Sequence, residues 1–521
     1  MIKKIFAPLL CCCLCLQQLY AQNKLSVDNV YSTYLRNSGT ITENGQIKGY
    51  FFFYQSDKID RRTNEYTLQI LDENLNKVKD IKLQDSKSVN LLEAAYNGNS
   101  ISFFFQDEKE RKLTMKVYSM DGKLKYTYLN EYTRQTEELM KQYVSLHTDD
   151  GTNQNVFDVG HKGFVSVMPL RDGKDRTYEV DFYGSEKKGY WKYTPNDDEG
   201  RFAMAEYLGN TDSLVILQVF KRKHLIGNNV SGHLVGINFV TKRKVFDLDY
   251  EDQDFLFSPA SVVRQKNTGN FIIAGTYYDK GASVMKDASK GLAFYTMNSK
   301  GKILSQSYNS WDKDFSKYIK TTGKGKIEDV GYLYIHKMIQ STNGQLYVVG
   351  EGYKKKANAA GIALTAAAAA AGSFGSAGVT KLVITDLVVM SFDGDYHVTD
   401  AKIYEKTDNT AMSNPLVDFA SQHLLAAFLK GTGAFDYEFT TGEEDSDNFS
   451  ICYSDYVREE DYKGQTFNTI HFNGSKFTQD KIQLKSKASK LKVFPAKPGS
   501  VMILEYFKKE KRIDLRLEKI S

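Results

Sequence analysis

Proline is scarce in this chain, with seven in 521 residues, and tryptophan is scarcer, with two. So little proline, set against 34 Tyr and 31 Phe, excludes a collagen-like or proline-rich disordered chain and favours strands. With only Trp191 and Trp311 available, the dipeptide Trp311-Asp312 stands alone and excludes a WD40 array. An excess of one charge is also missing: 69 Lys plus Arg face 64 Asp plus Glu, so no whole-molecule attraction to nucleic acid is implied. Cysteine is nearly absent beyond the first fifteen residues. Cys11, Cys12, Cys13 and Cys15 share one apolar run, and only Cys452 lies further along.

That apolar run follows Lys3 and Lys4 and leads to Leu19-Tyr20-Ala21 before Gln22, the pattern of a secretory signal peptide over residues 1–21. A lipid anchor is the alternative, but leucine precedes both Cys11 and Cys15 where a small residue is wanted. Removal of residues 1–21 leaves Cys452 alone in the context FSICYSDY, so no internal disulfide can form and a buried thiol is expected. The mature chain, residues 22–521, is expected to be exported, periplasmic or extracellular, with association with the outer membrane as an alternative. It must be held together by its core.

What the sequence does have is repetition. NTGNFIIAGTYYDKG…KGLAFYTMNSKGKILSQSYNS from Asn267 has the same order of turn, apolar strand, loop, strand, Gly turn and strand as TNGQLYVVGEGYKKK…ITDLVVMSFDGDYHVTDAKIYEK from Thr342. Copies begin near Tyr50, Ser100, Gly163, Ser213, His423 and Ser500, giving eight leading strands with turn signals such as Asn97-Gly98, Asp121-Gly122 and Asn343-Gly344 between strands. Each unit is too small to bury both faces alone. Radial stacking solves that problem, so the expected fold is all-β, a β-propeller of seven to eight blades forming a single domain. Packed β-sandwiches are the alternative. The last copy shows two strands, and residues 25–35, LSVDNVYSTYL, are expected to complete its blade. Residues 131–146 show helical spacing through Leu139, Met140 and Tyr143 and read as an inserted helix.

The second insertion is residues 353–381, YKKKANAAGIALTAAAAAAGSFGSAGVTK. Residues 357–379 carry no charge and number more than the roughly 20 needed for one helical crossing of a bilayer, but both ends rejoin one blade, which rules out a single crossing. Gly361 and Gly372 divide the stretch, so a short helix capped near Gly372 is expected, either protruding as a docking loop or packed over the propeller. Its lysines and those of residues 221–232 define an expected binding rim: Lys221, Arg222, Lys223, Lys354, Lys355, Lys356 and Lys381. The loop from Asp436 to Asp447 is acidic instead.

Chemistry-bearing motifs are missing. The eight histidines include no His-x-His or His-x-x-x-His pair; His224 reads as solvated and His423, opening a strand, as structural. The acidic stretches at 196–199, 247–254 and 443–447 do not fit a calcium loop, and GKGK at 323–326 lacks the spacing of a phosphate loop. SMDGKLKYTY lacks the closing Trp of a sialidase Asp-box. No metal or cofactor is therefore expected, and the sequence names no catalytic residue.

The export signal ending in Tyr-Ala-Gln, the aromatic richness and phrases such as LQILDENLNKV and VVMSFDGDYHV resemble secreted β-propeller-like proteins of unknown function common in Bacteroidota. The resemblance implies a secreted propeller and carries over no catalytic residue. The expected function is a non-enzymatic binding module for a protein, a glycan or an anionic component of the cell envelope, with no nucleic acid and no transmembrane span. The alternative is a glycan-directed hydrolase or lyase whose carboxylates come from several blades.

Overall fold

The computed structural model describes residues 24–43, 46–144, 154–195, 202–222, 230–249, 254–265, 268–284, 286–371, 378–413, 417–418, 420–442 and 447–520. Their strands form eight antiparallel sheets, the blades of an eight-bladed β-propeller. Seven blades run in plain chain order; the eighth takes its outer strand from the other end of the chain. The chain divides into two compact units, Met1–Lys87 with Ser486–Ser521, and Ser88–Lys485.

The smaller unit holds blades one and eight. Blade one is a meander of Ser32–Glu43, Gln46–Lys58, Thr63–Asp72 and Lys77–Ser86. Blade eight consists of Lys490–Pro495, Ser500–Phe507 and Arg512–Lys519, with Lys24–Val27 added at its edge in the register Lys24↔Arg516 to Val27↔Ile513. The expected completing strand thus exists but is shorter: residues 28–31 cross over, held by Val30 N–H to Lys511 O at 2.8 Å, and Ser32 already opens blade one. The core of this unit lies between the two sheets, where Tyr50, Phe52 and Leu71 meet Met502, Leu504 and Leu515.

The larger unit carries blades two to seven. Its core also lies between successive sheets: Val165 and Val180 of blade three pack with Val215, Leu217 and Val235 of blade four, and Tyr347 and Val389 of blade six with Ile451 and Ile470 of blade seven. The first strands of blades four, five and six, Ala203–Asn210, Leu256–Arg264 and Tyr332–Gln340, lie side by side and are therefore innermost. Each has a β-bulge, between Tyr207 and Gly209, Pro259 and Ser261, and Ile335 and Lys337. Asn97-Gly98 and Asn343-Gly344 form tight turns with glycine at φ 93° and 88°, a backbone that other residues rarely adopt.

Two features of the repeat differ from the sequence reading. The apolar strand that marks each copy is the second strand of its blade, as in Leu214–Arg222 and Phe271–Tyr278, because a central strand covered on both faces is the most continuously apolar. The copy near His423 is not a strand. Residues Gln422–Thr432 form a helix, and the second strand of blade seven is Asn448–Arg458, which contains the buried Cys452. Helix signals prevail there: Ser421 caps the N-terminus, its side chain accepting from Leu424 N–H, and Gly433 ends the helix at φ 62°. His423 therefore opens a helix, while His224 lies outside the described residues.

Three α-helices are present among the described residues: α1 (Arg134–Val144), α2 (Ala359–Ala370) and α3 (Gln422–Thr432). Helix α1 is the insertion expected at 131–146. It packs on blade three through Met140, 1 % exposed, and through Thr136, whose hydroxyl donates to Arg171 O at 3.1 Å and accepts from Arg171 N–H at 3.2 Å.

Candidate docking site

Blade six departs from the four-stranded plan. Its two central strands, Leu346–Ala357 and Thr380–Phe392, pair out to Ala357↔Thr380, with a bulge between Glu351 and Tyr353 marking where the ladder becomes an arm. A fifth strand, Asn409–Met412, pairs with Leu382–Ile384 along that arm. Helix α2 sits at its far end.

The arm is anchored by a buried ionic cluster. Glu351 is fully buried; its Oε2 lies 3.0 Å from His336 Nε2, its Oε1 lies 3.3 Å from Lys406 Nζ, and its carboxylate accepts the backbone N–H groups of Asp436 and Tyr437, each at 3.2 Å. Lys406 Nζ also reaches Asp436 Oδ2 at 2.5 Å, and Asn409 donates to Asp436 Oδ1 at 2.8 Å. Burial works against the Glu351 carboxylate, but the His336 hydrogen bond and the Lys406 ammonium outweigh it and hold its pKa below the usual carboxylate range. Burial likewise opposes the Lys406 charge, and Asp436 and Glu351 overcome it, keeping the ammonium protonated. Two carboxylates share one ammonium, so the partner less well supplied with donors, Asp436, has its pKa pushed by burial up to about 6. His336 is walled by Tyr334, Phe435 and Tyr437, with ring centroids 4.5 to 4.9 Å away.

Helix α3 buttresses the arm. Leu425 and Leu429 are buried against Tyr353, Leu382 and Ile384, and Tyr353 donates its hydroxyl to Gln422 O at 3.1 Å. From the far end of α3, Lys430 Nζ reaches Glu206 Oε2 at 3.1 Å on the inner strand of blade four. Asp418 ties the returning chain, accepting from Val379 N–H, Thr380 N–H and the Thr380 hydroxyl at 3.1, 2.9 and 2.5 Å.

Helix α2 itself has almost no cover. Ile362 is 46 % and Leu364 is 62 % exposed, and the alanines around the helix are exposed or half-buried. Gly361 is the one buried position, with Asn358 Nδ2 donating to Gly378 O at 2.9 Å beside it. A helix without charged residues and without a covered face is unusual in water.

The expected rim residues fall into two groups. Lys354, Lys356 and Lys381 stand together on the arm: Lys356 and Lys381 are cross-strand partners, and burial followed by the charges of Lys354 and Lys381 lowers the Lys356 pKa. Lys354 donates to the Asp329 backbone carbonyl, and Lys356 pairs with the Asp408 carboxylate. Lys355 donates to Ala420 O at 2.9 Å and serves the joint with α3. Lys221 and Arg222 belong to blade four. The Lys221 side chain is buried against Asp247 rather than exposed, and Lys223 lies outside the described residues. In the acidic stretch 436–447, Asp436 belongs to the buried cluster and Asp447 accepts from Thr342 N–H at 2.6 Å. The cluster members Glu351, His336 and Lys406 carry no local sequence signal, since they come together from three separate strands and loops. Helix α3 could have been found from Ser421 and Gly433.

Among the described residues, no group of three or more His, Cys, Asp or Glu side chains converges as metal ligands, and no helix is long and apolar enough to cross a membrane. The sequence profile of a family of unknown function, DUF6770, matches residues 1–521. The chain belongs to that family. No curated protein matches the sequence. Solved structures are similar to this DUF6770 member at low identity. Sqt1 from Chaetomium thermophilum is 8 % identical over 95 % of this chain and 100 % of its own, with a TM-score of 0.41. The β-propeller domain of the Trilobed protease from Pyrococcus furiosus is 10 % identical over 85 % and 93 %, with a TM-score of 0.36. Prolyl oligopeptidase B from Galerina marginata is 9 % identical with a TM-score of 0.38; the match covers 94 % of this chain but spans 57 % of that protein.

Proposed function

We propose that this DUF6770 propeller is a binding module that grips a partner protein through the arm of blade six. The observation that carries the reading is helix α2: twelve residues without a charge, exposed around nearly the whole helix, at the end of a braced two-stranded stem. An exposed apolar element of this kind gains most by burial against a partner, and a rigid stem lowers the ordering cost of binding. Alanine side chains let another helix approach closely, which suits a protein partner. An anionic surface fits less well, because Lys354, Lys355 and Lys356 already have partners.

The setting proposed for this binding is the periplasm or the exterior, after removal of residues 1–21. Intact mass of the exported protein checks it: a chain beginning at Gln22 without lipid is expected, and a diacyl adduct contradicts it. For the arm, a photo-crosslinking residue at position 364 is compared with one at Val78, which is 57 % exposed on blade one. Envelope proteins are expected to crosslink at position 364, not at 78, and Ile362→Asp should suppress the product without lowering the melting temperature. Equal crosslinking at both positions rejects the arm as the docking element.

A further inference from the structure

Ser231 and His233 are two residues apart on the third strand of blade four, Val230–Asn238, and so project from one face. His233 Nδ1 lies 2.8 Å from Asp247 Oδ1 on the neighbouring strand, Arg243–Asp249, and His233 Nε2 lies 3.0 Å from Ser231 Oγ. An ionised carboxylate only accepts hydrogen bonds, so the contact with Asp247 places the imidazole proton on Nδ1. The lone pair of Nε2 is then turned to the serine hydroxyl, the tautomer in which imidazole can take a proton from an attacking alcohol. Asp247 is kept ionised: burial opposes its charge, but the His233 hydrogen bond and the ammonium groups of Lys221 and Lys244, each 2.9 Å from Oδ2, hold its pKa well below the usual range. Asp249 Oδ2 lies 3.9 Å from Nε2, so an imidazolium formed here faces two carboxylates. Lys221 is also the cross-strand partner of Ser231, which puts a cation on the face of the hydroxyl. His233 is buried, whereas Ser231 is only half-buried and reaches solvent.

We infer that Ser231, His233 and Asp247 form a serine nucleophile site for acyl transfer, with carboxylic esters as its substrate class. Ser231 Oγ adds to the ester carbonyl carbon as its proton passes to His233 Nε2, and the carbonyl π pair becomes an oxyanion on the face that carries Lys221. Collapse reforms the carbonyl, breaks the bond to the alcohol and returns the proton to that leaving oxygen. Water then attacks the acyl-serine by the same route, releasing a carboxylic acid and restoring the hydroxyl. The space beside Lys221 and Asp247, between Tyr178, Tyr193 and Ala203, measures about 10 Å³, room for one water, so an ester meets Ser231 from its solvent-facing side.

The full chain is treated with a fluorophosphonate and, separately, with p-nitrophenyl acetate, and the modified residue is located by peptide mass spectrometry. An adduct on Ser231 is expected. Ser231→Ala should abolish it, and His233→Asn, which keeps a polar group in the buried position, should slow it by about 100-fold or more. Absence of an adduct on Ser231 in the folded protein overturns the assignment, as does labelling whose rate ignores the His233 substitution. The test is independent of the arm on blade six, because α2 can be removed without touching blade four.

Discussion

Asp181 shows what burial does to a single group. It is 1 % exposed on the third strand of blade three; Oδ1 accepts from the Tyr190 hydroxyl at 2.6 Å, and Oδ2 has no hydrogen-bond partner. Burial, then the charge of Glu179, pushes its pKa up to about 7. In the unfolded chain the same carboxyl ionises near ~3.9, so between those values the unfolded state gives up its proton first and stability falls as pH rises. Asp181→Asn removes this titration. Stability measured by urea unfolding should therefore fall less between pH 4.5 and pH 8 in the variant than in the wild type, by about 1–3 kcal/mol. Parallel pH profiles would mean that Asp181 is ionised in the fold. Nothing in the sequence distinguishes Asp181 from other strand carboxylates, because its pKa depends on burial and on a tyrosine nine residues away that the fold of blade three brings beside it.

At the scale of elements, the arm depends on a close approach inside α2. A Cβ at Gly361 would stand 1.9 Å from Gly378 O and 2.4 Å from Asn358 Nδ2. In an exposed helix Gly→Ala normally stabilises by about 1 kcal/mol, so a glycine among alanines is worth explaining by contact. Gly361→Ala should therefore loosen the joint of helix and stem despite the better helix former. Hydrogen exchange over residues 358–371 and 378–380 should accelerate, while exchange in blade four stays unchanged. Slower exchange would show that helix propensity outweighs the contact. The helix was legible from its alanines and flanking glycines. The long stem was not, because YKKKA reads as loop until Lys354–Ala357 meet Thr380–Val383 in a ladder.

The whole chain is joined through strands at opposite ends of the sequence. Lys24–Val27 adds four residues to the edge of Arg512–Lys519, and Ser26 donates to Asp514 Oδ1 at 2.8 Å. Removing residues 24–27 leaves the outward N–H and C=O groups of residues 513–516 without strand partners. The truncated protein should melt lower by about 2–5 °C and associate at high concentration, as read by scanning calorimetry and light scattering. Unchanged melting and monomeric scattering would show that the edge needs no cover.

The sequence alone determined the repeat, the all-β class, the blade number to within one, the N-terminal completion of the last blade and both expected helical insertions. Each of these follows from local patterning that recurs along the chain: an apolar run, a turn, a second run. Blade phase and the chain between blades six and seven were decided elsewhere. A buried central strand is the loudest signal in every copy, so it was read as the first, and the apolar residues at Leu424, Leu425 and Leu429 suited a strand, whereas in the fold Leu425 and Leu429 pack against Tyr353 and Leu382 from a helix. The ionic cluster of Glu351, His336, Lys406 and Asp436 and the relay of Ser231, His233 and Asp247 were decided by tertiary structure alone. Ser231 and His233 share one strand, but Asp247 and the members of the ionic cluster lie on other strands and loops and come within hydrogen-bonding distance only once the sheet registers are set.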